Sequence, residues 1–276
     1  MIRDILQEQA LAGKPLDCFI ADAHAHIGAG SYFPLYENGS AACILQSMDR
    51  IGCRICCVSA YASLHNYADY GLNDLIQTVQ TFPGRFFGYM SADPGYPEGI
   101  RAQLEKGYAA GFRGIKIHSE ASGVPYGSPY YDAVFEFAEE HALPILAHTW
   151  GTELKDLEPK FDRYPHVRFL LGHAGCCKRK EYARLAKEYN NAYLESCVSS
   201  SPKNLVEFFV EQGLSEKYLW GTDSNFYSQE HQIGRVVFAE IPLEDKYRIL
   251  GKNAARILFK GTEFEKLIPQ NLQAIN

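Results

Sequence analysis

Asp22-Ala23-His24-Ala25-His26 closes the apolar run Cys18-Phe19-Ile20-Ala21 and sets two imidazoles two residues apart. On a strand, side chains at i and i+2 share a face about 6.6 Å apart, so both rings can lean onto one ion about 2.1 Å from each nitrogen. The stretch reads either as part of a metal site or as two histidines on a half-exposed strand. The rest of the chain separates the two.

Apolar runs rich in β-branched and aromatic residues recur at 18–26, 54–60, 86–91, 114–118, 144–148, 167–173, 192–197 and 218–223. Between them, a 3.6-residue apolar period predicts helices, for example over 73–81, 99–110, 132–141, 178–189 and 202–212. Eight strands alternating with helices in a chain of 276 residues predict an α/β fold, a single-domain TIM-like (β/α)8 barrel, rather than an open doubly wound sheet. The absence of Gly-x-Gly-x-x-Gly after the first strand removes the main argument for a dinucleotide fold. A helical extension is expected over 1–16, the barrel over 17–260 with a closing helix at 244–259, and a weakly patterned tail over 261–276. Gly-, Pro- and Ser-rich loops at 28–40 and 119–129 follow strands, so they rise at the C-terminal face of the barrel, where a lid or substrate wall belongs.

The net charge of −6, with no basic cluster longer than Lys178-Arg179-Lys180, gives no electrostatic footprint for nucleic acid or an anionic membrane. No run of 18 apolar residues and no secretory signal occur, so a cytoplasmic protein with a small-molecule substrate is expected; a homo-oligomer is left open. The eight cysteines lie mostly in or beside strand-like runs and are read as reduced core thiols.

His148, His173 and Asp223 each end a later apolar run, so strand ends one, five, six and eight point ligand-type residues at one mouth. Lys116 and His118 share a face by the same i, i+2 relation, and Trp150 follows His148 by two residues. These three are the candidates for substrate contact, with packing as the alternative for Trp150 and an ion pair with a barrel acid for Lys116. Glu195, Arg113 and Cys176-Cys177 are noted without an assignment.

Asp22-x-His24-x-His26, Gly114-Ile115-Lys116-Ile117-His118, the His148 run, Gly172-His173-Ala174-Gly175, Gly221-Thr222-Asp223 and Gly251-Lys252-Asn253-Ala254-Ala255-Arg256 together resemble the amidohydrolase superfamily. The similarity is to the amidohydrolase-related (family 2) branch that includes enzymes like aminocarboxymuconate-semialdehyde decarboxylase. The resemblance implies one divalent ion, usually zinc, held by His24, His26, His148 and Asp223, with His173 beside it; manganese, iron and cobalt also suit such ligands. It also makes Lys116 a candidate for the carbamylated bridging lysine of two-metal members. The implied chemistry is a hydrolase that directs metal-activated water at an amide, lactone or ester, with Asp223 accepting the proton and His173 helping at the carbonyl. The alternative is a non-oxidative decarboxylase of an unsaturated or aromatic carboxylic acid at the same site. The lack of an Arg after strands one and two, apart from Arg50 and Arg54, favours hydrolysis.

Overall fold

Short, apolar and β-branched runs that cannot bury themselves singly pair here into two parallel arcs that together wall a barrel. In the computed structural model, which describes residues 3–28, 35–36, 39–197 and 202–273, the strands are β1 Ala21–Ile27, β2 Ile55–Ala60, β3 Phe86–Tyr89, β4 Ile115–Ile117, β5 Pro144–Ala147, β6 Arg168–Leu171, β7 Ala192–Ser196 and β8 Tyr218–Trp220. Each pairs in parallel with its sequence neighbour, as β1-β2-β3 and β4-β5-β6-β7-β8. Isolated parallel bridges join the two arcs, Met90 to Ile115 on one side and Ala25 to Ser224 on the other. Asp223 N donates to His24 O at 2.8 Å across the second seam. The result is the expected (β/α)8 barrel.

Side-chain alternation along each strand sorts the core into two parts. Ala21, Ala23, Ile55, Cys57, Phe87, Tyr89, Leu146, Leu170 and Leu219 fill the barrel, and Phe259, Phe264 and Ile268 pack with them from below. Ala25, Ile27, Cys56, Val58, Ile145, Phe169 and Leu171 face outward against the helices. On β1 the parity changes: pairing with β2 shifts register between Asp22 and Ala25. A bulge of this kind re-aims side chains. Below it Ala21 and Ala23 point inward; above it Ala25 and Ile27 point outward, which turns His24 and His26 inward.

Asp22 therefore does not share their face. It accepts from Thr222 Oγ1 at 2.5 Å, Thr222 N at 3.1 Å and Gln229 Nε2 at 2.8 Å, a buried clasp across the seam where the barrel closes.

The helices fall close to the periodic segments: Ala68–Thr81, Ile100–Ala109, Asp132–Glu140, Arg179–Glu188 and Leu205–Glu211. Ala41–Ile51, Leu154–Arg163 and Gln229–Val237 complete the outer layer. The leading helix Ile5–Leu11 is capped reciprocally by Asp4 and Gln7. Lys246 Nζ, 2.6 Å from Asp4 Oδ2, ties it to the body. The closing helix runs over 243–259 with wide π-type turns at Arg248–Lys252 and Ala255–Phe259. Most of the expected loop at 28–40 lies outside the described residues. All eight cysteines are free. No helix among the described residues is long and apolar enough to cross a membrane.

Candidate functional site

Above the apolar filling, the inward positions of the strands turn polar. His24 and His26 rise from β1, Lys116 from β4, Glu195 from β7, and His148, His173 and Asp223 come from the turns just past β5, β6 and β8. His173 and Asp223 hold positive φ, 58° and 55°. This left-handed backbone is uncommon outside glycine and often marks a functional turn.

The Nδ1 atoms of three rings are anchored in the protein. His24 Nδ1 lies 2.8 Å from Glu195 Oε2, His26 Nδ1 lies 2.9 Å from Ser59 Oγ, and His148 Nδ1 lies 3.0 Å from His173 Nε2. Their Nε2 atoms face elsewhere. His26 Nε2 is 3.0 Å and His24 Nε2 3.7 Å from Asp223 Oδ1, while the buried His148 Nε2 has no hydrogen-bond partner. Two ligands at about 2.1 Å from one tetrahedral ion stand about 3.4 Å apart, so the two separations to Asp223 bracket that spacing. Lys116 Nζ, 2.7 Å from His24 Nε2, adds a cation on the same side. An ammonium can only donate, so this contact requires a bare lone pair on His24 Nε2. Three imidazoles anchored through Nδ1, one carboxylate and an orphaned ring nitrogen fit a divalent ion.

Burial disfavours the imidazolium form at every ring. It pushes His24 and His148 well below the ordinary histidine value, helped by neighbouring positive groups, and takes His118 to about 2 and His173 to about 4. His26 is lowered as well, against the pull of Asp223. Burial would raise Asp223, but the hydrogen bond with His26 and the charges of His173, His26 and Lys116 hold it below the usual carboxylate value. Neutral rings beside an ionised carboxylate are the ligand forms that a metal requires. Burial lowers Lys116 to about 8 and raises Glu195 to about 8, each moderated by opposite charges nearby.

A cavity of about 690 Å³ opens over this cluster. His26, His148, His173 and Asp223 form its floor, and Tyr61, His118, Trp150 and Phe226 are among its walls. His118 stacks on His148 at 3.6 Å and 12°, and Trp150 on His173 at 4.8 Å and 11°. Lys116 does not reach the cavity: it is 1% exposed and lies beneath it. Cys177 Sγ meets the Trp150 carbonyl at the rim.

Sequence reasoning did not assign Ser59, Glu195 or Cys197. Alternation on β7 carries a signal for the last two, since Tyr193 packs with the barrel filling and Glu195 and Cys197 continue the same face. Cys197 Sγ lies 3.2 Å from His24 Nδ1 and 3.1 Å from His173 Nδ1. Ligand atoms of His24, His173, Cys197 and Asp223 all fall within 4.8 Å of one another.

The family model for amidohydrolases matches residues 66–260. The chain belongs to the amidohydrolase family. Among curated proteins compared by sequence, none matches it. Solved structures similar to this amidohydrolase include 5-carboxyvanillate decarboxylase from Sphingomonas paucimobilis, at 17% identity and TM-score 0.70 over 88% of this chain and 99% of that one. The dihydroxybenzoic acid decarboxylase of Polaromonas sp. JS666, with bound manganese and the inhibitor 2-nitroresorcinol, matches at 15% identity and TM-score 0.71 over 92% and 99%. The 2,6-dihydroxybenzoate decarboxylase of Rhizobium matches at 14% and 0.71 over 91% and 100%. At these identities the likeness establishes the barrel.

Proposed function

We propose that this amidohydrolase holds one divalent ion on His24, His26, His148 and Asp223 and catalyses the non-oxidative decarboxylation of a planar aromatic or unsaturated carboxylic acid. The observation that carries the reading is the cavity itself, in which aromatic walls stand over a floor of neutral imidazoles and one carboxylate. The chain's resemblance in fold to three decarboxylases of aromatic acids, one recorded with manganese, supports the same chemistry and leaves zinc and manganese as the ions to try first.

When bound, the ion supplies positive charge that holds the substrate carboxylate, with any neighbouring hydroxyl, against the floor. Tyr61, Trp150, Phe226 and the His118–His148 stack offer flat apolar surface to the ring and keep water from the carbon that loses its carboxylate. The bond from that carbon to the carboxylate breaks, its electron pair stays on the ring, and carbon dioxide leaves. A proton drawn from solvent takes the vacated position, and Asp223, an ionised carboxylate whose side chain lines the cavity, accepts it from water and passes it on to that carbon. His173 has both nitrogens engaged, with His148 and Cys197, so in this reading it orients His148 rather than polarising the substrate.

One observation favours hydrolysis as a second reading: among the described residues, no Arg or Lys lines the cavity to pair with a substrate carboxylate. The test is incubation of the zinc- or manganese-loaded protein with hydroxybenzoates and unsaturated acids in deuterium oxide. Carbon dioxide release with one deuterium at the vacated carbon is expected. Turnover confined to esters, lactones or amides, with solvent oxygen in the product and no carbon dioxide, would put hydrolysis in its place.

A further inference from the structure

We propose that Glu195, which the sequence leaves without a role, is the positioning residue of the metal centre: its carboxylate fixes the His24 ring through Nδ1, and Gly221 is glycine to make room for it. The proposal rests on the reading of His24 as a ligand.

Three contacts bear on the pair of Glu195 and His24. Its Oε2 lies 2.8 Å from His24 Nδ1, with both side chains fully buried. On the other edge of the ring, Lys116 Nζ stands 2.7 Å from Nε2. Because an ammonium donates and never accepts, the ring hydrogen sits on Nδ1 and points at the Glu195 carboxylate. A hydrogen bond of this kind fixes tautomer and orientation and makes the opposite nitrogen a stronger donor to a metal. Cys197 Sγ also approaches Nδ1, at 3.2 Å, but the Glu195 oxygen is nearer and, unlike sulfur, a strong acceptor.

The third contact comes from β8. A Cβ on Gly221 would stand 2.1 Å from Glu195 Oε1 and 2.9 Å from His24 Cβ. Both distances are far inside van der Waals contact, so any larger residue displaces the Glu195 carboxylate or the His24 side chain. The glycine of Gly221-Thr222-Asp223 thus has a physical reason that involves no turn: it is the socket in which the carboxylate lies. Glu195 is also joined to the rings of the other half of the site, since Cys197 hydrogen-bonds it and contacts His173 Nδ1, and His173 in turn holds His148. The Nδ1 hydrogens of His24 and His148 thus both lead toward one carboxylate.

The test compares the wild type with Glu195→Gln, Glu195→Leu and Gly221→Ala, reading zinc and manganese affinity by chelator competition and the His24 tautomer by nitrogen-15 NMR. Cooperative melting is checked first. The expectation is an affinity loss of about tenfold for the amide, which still accepts from Nδ1, and about 100-fold for leucine, which cannot. Gly221→Ala should weaken binding with Glu195 still present, and adding Glu195→Leu to it should cost little more. In the wild type without metal, the His24 hydrogen should reside on Nδ1; finding it on Nε2 overturns the proposal even if every variant fails to fold. Equal affinity of wild type, Gln and Leu forms also overturns it. If the wild type binds no ion, the ligand reading itself fails, an outcome distinct from variants that bind as tightly as the parent.

Discussion

His173 Nε2 sits 3.0 Å from His148 Nδ1, and this contact sets which edge of His148 faces the cavity. With Nδ1 tied back to the turn after β6, His148 Nε2 is left buried and without a hydrogen-bond partner, the unmet valence that a bound ion would satisfy; its nearest carboxylate oxygen, Glu120 Oε2, stands 3.9 Å away.

Replacing His173 by Phe should preserve the stack with Trp150 while removing the bond to His148. Ion affinity is expected to fall about 10–100-fold, measured by chelator competition, whereas His148→Phe should remove a ligand and abolish retention of the ion on gel filtration. Unchanged affinity in His173→Phe would show that His148 needs no such support.

Asp22 should matter to stability rather than to turnover. Asp22→Ala strands the Thr222 hydroxyl and amide and the Gln229 amide at the seam of the barrel, and a loss of roughly 2–3 kcal/mol is expected from urea unfolding of the metal-free protein. A change below about 0.5 kcal/mol would mean that the clasp closes nothing.

The metal-free protein should be acid-labile. His24, His26, His118, His148 and His173 all have folded pKa values depressed below 6.5, so below that pH the unfolded chain binds protons that the folded one refuses. Their contribution is complete above pH 6.5 and is lost as pH falls, down toward about 4 for His173. Asp22, raised by burial to about 6, and Glu195, raised to about 8, act in the opposite sense, because each binds its proton more readily when folded. Five histidines against two carboxyls leave a net fall in Tm between pH 6.5 and 4.5, read by circular dichroism. A flat or rising Tm would argue that the rings are not buried in neutral form.

Trp150→Ala removes one aromatic wall but no floor residue. With a hydroxybenzoate substrate, KM is expected to rise roughly tenfold, the loss of about one aromatic contact, with kcat changing far less. A collapse of kcat at constant KM would place Trp150 in the chemical step instead.

Much of the barrel was legible because its signals are local. Runs such as Pro144–Ala147 and Arg168–Leu171 announce themselves by composition, and each ends within two residues of a histidine that lands in the cavity floor. The helix Leu154–Arg163 was harder to read, since Pro159 interrupts an otherwise periodic stretch. The β1 bulge is not written in any residue type, and Asp22 could not be assigned to a face without it.

The sequence by itself determined the order of strands and helices, the seating of His24 with His26, and the arrival of His148, His173 and Asp223 at strand ends, because periodicity and strand polarity act over a few residues. It also carried the resemblance that named the family. Tertiary structure alone decided which nitrogen of each ring is free, that Lys116 lies under the cavity rather than in its wall, and that Asp22 clasps the seam. It also decided that Glu195 and Gly221, 26 positions apart in the chain, fit one against the other behind His24. Those are contacts between distant segments, fixed by how the barrel closes and by which polar groups must find partners once water is gone.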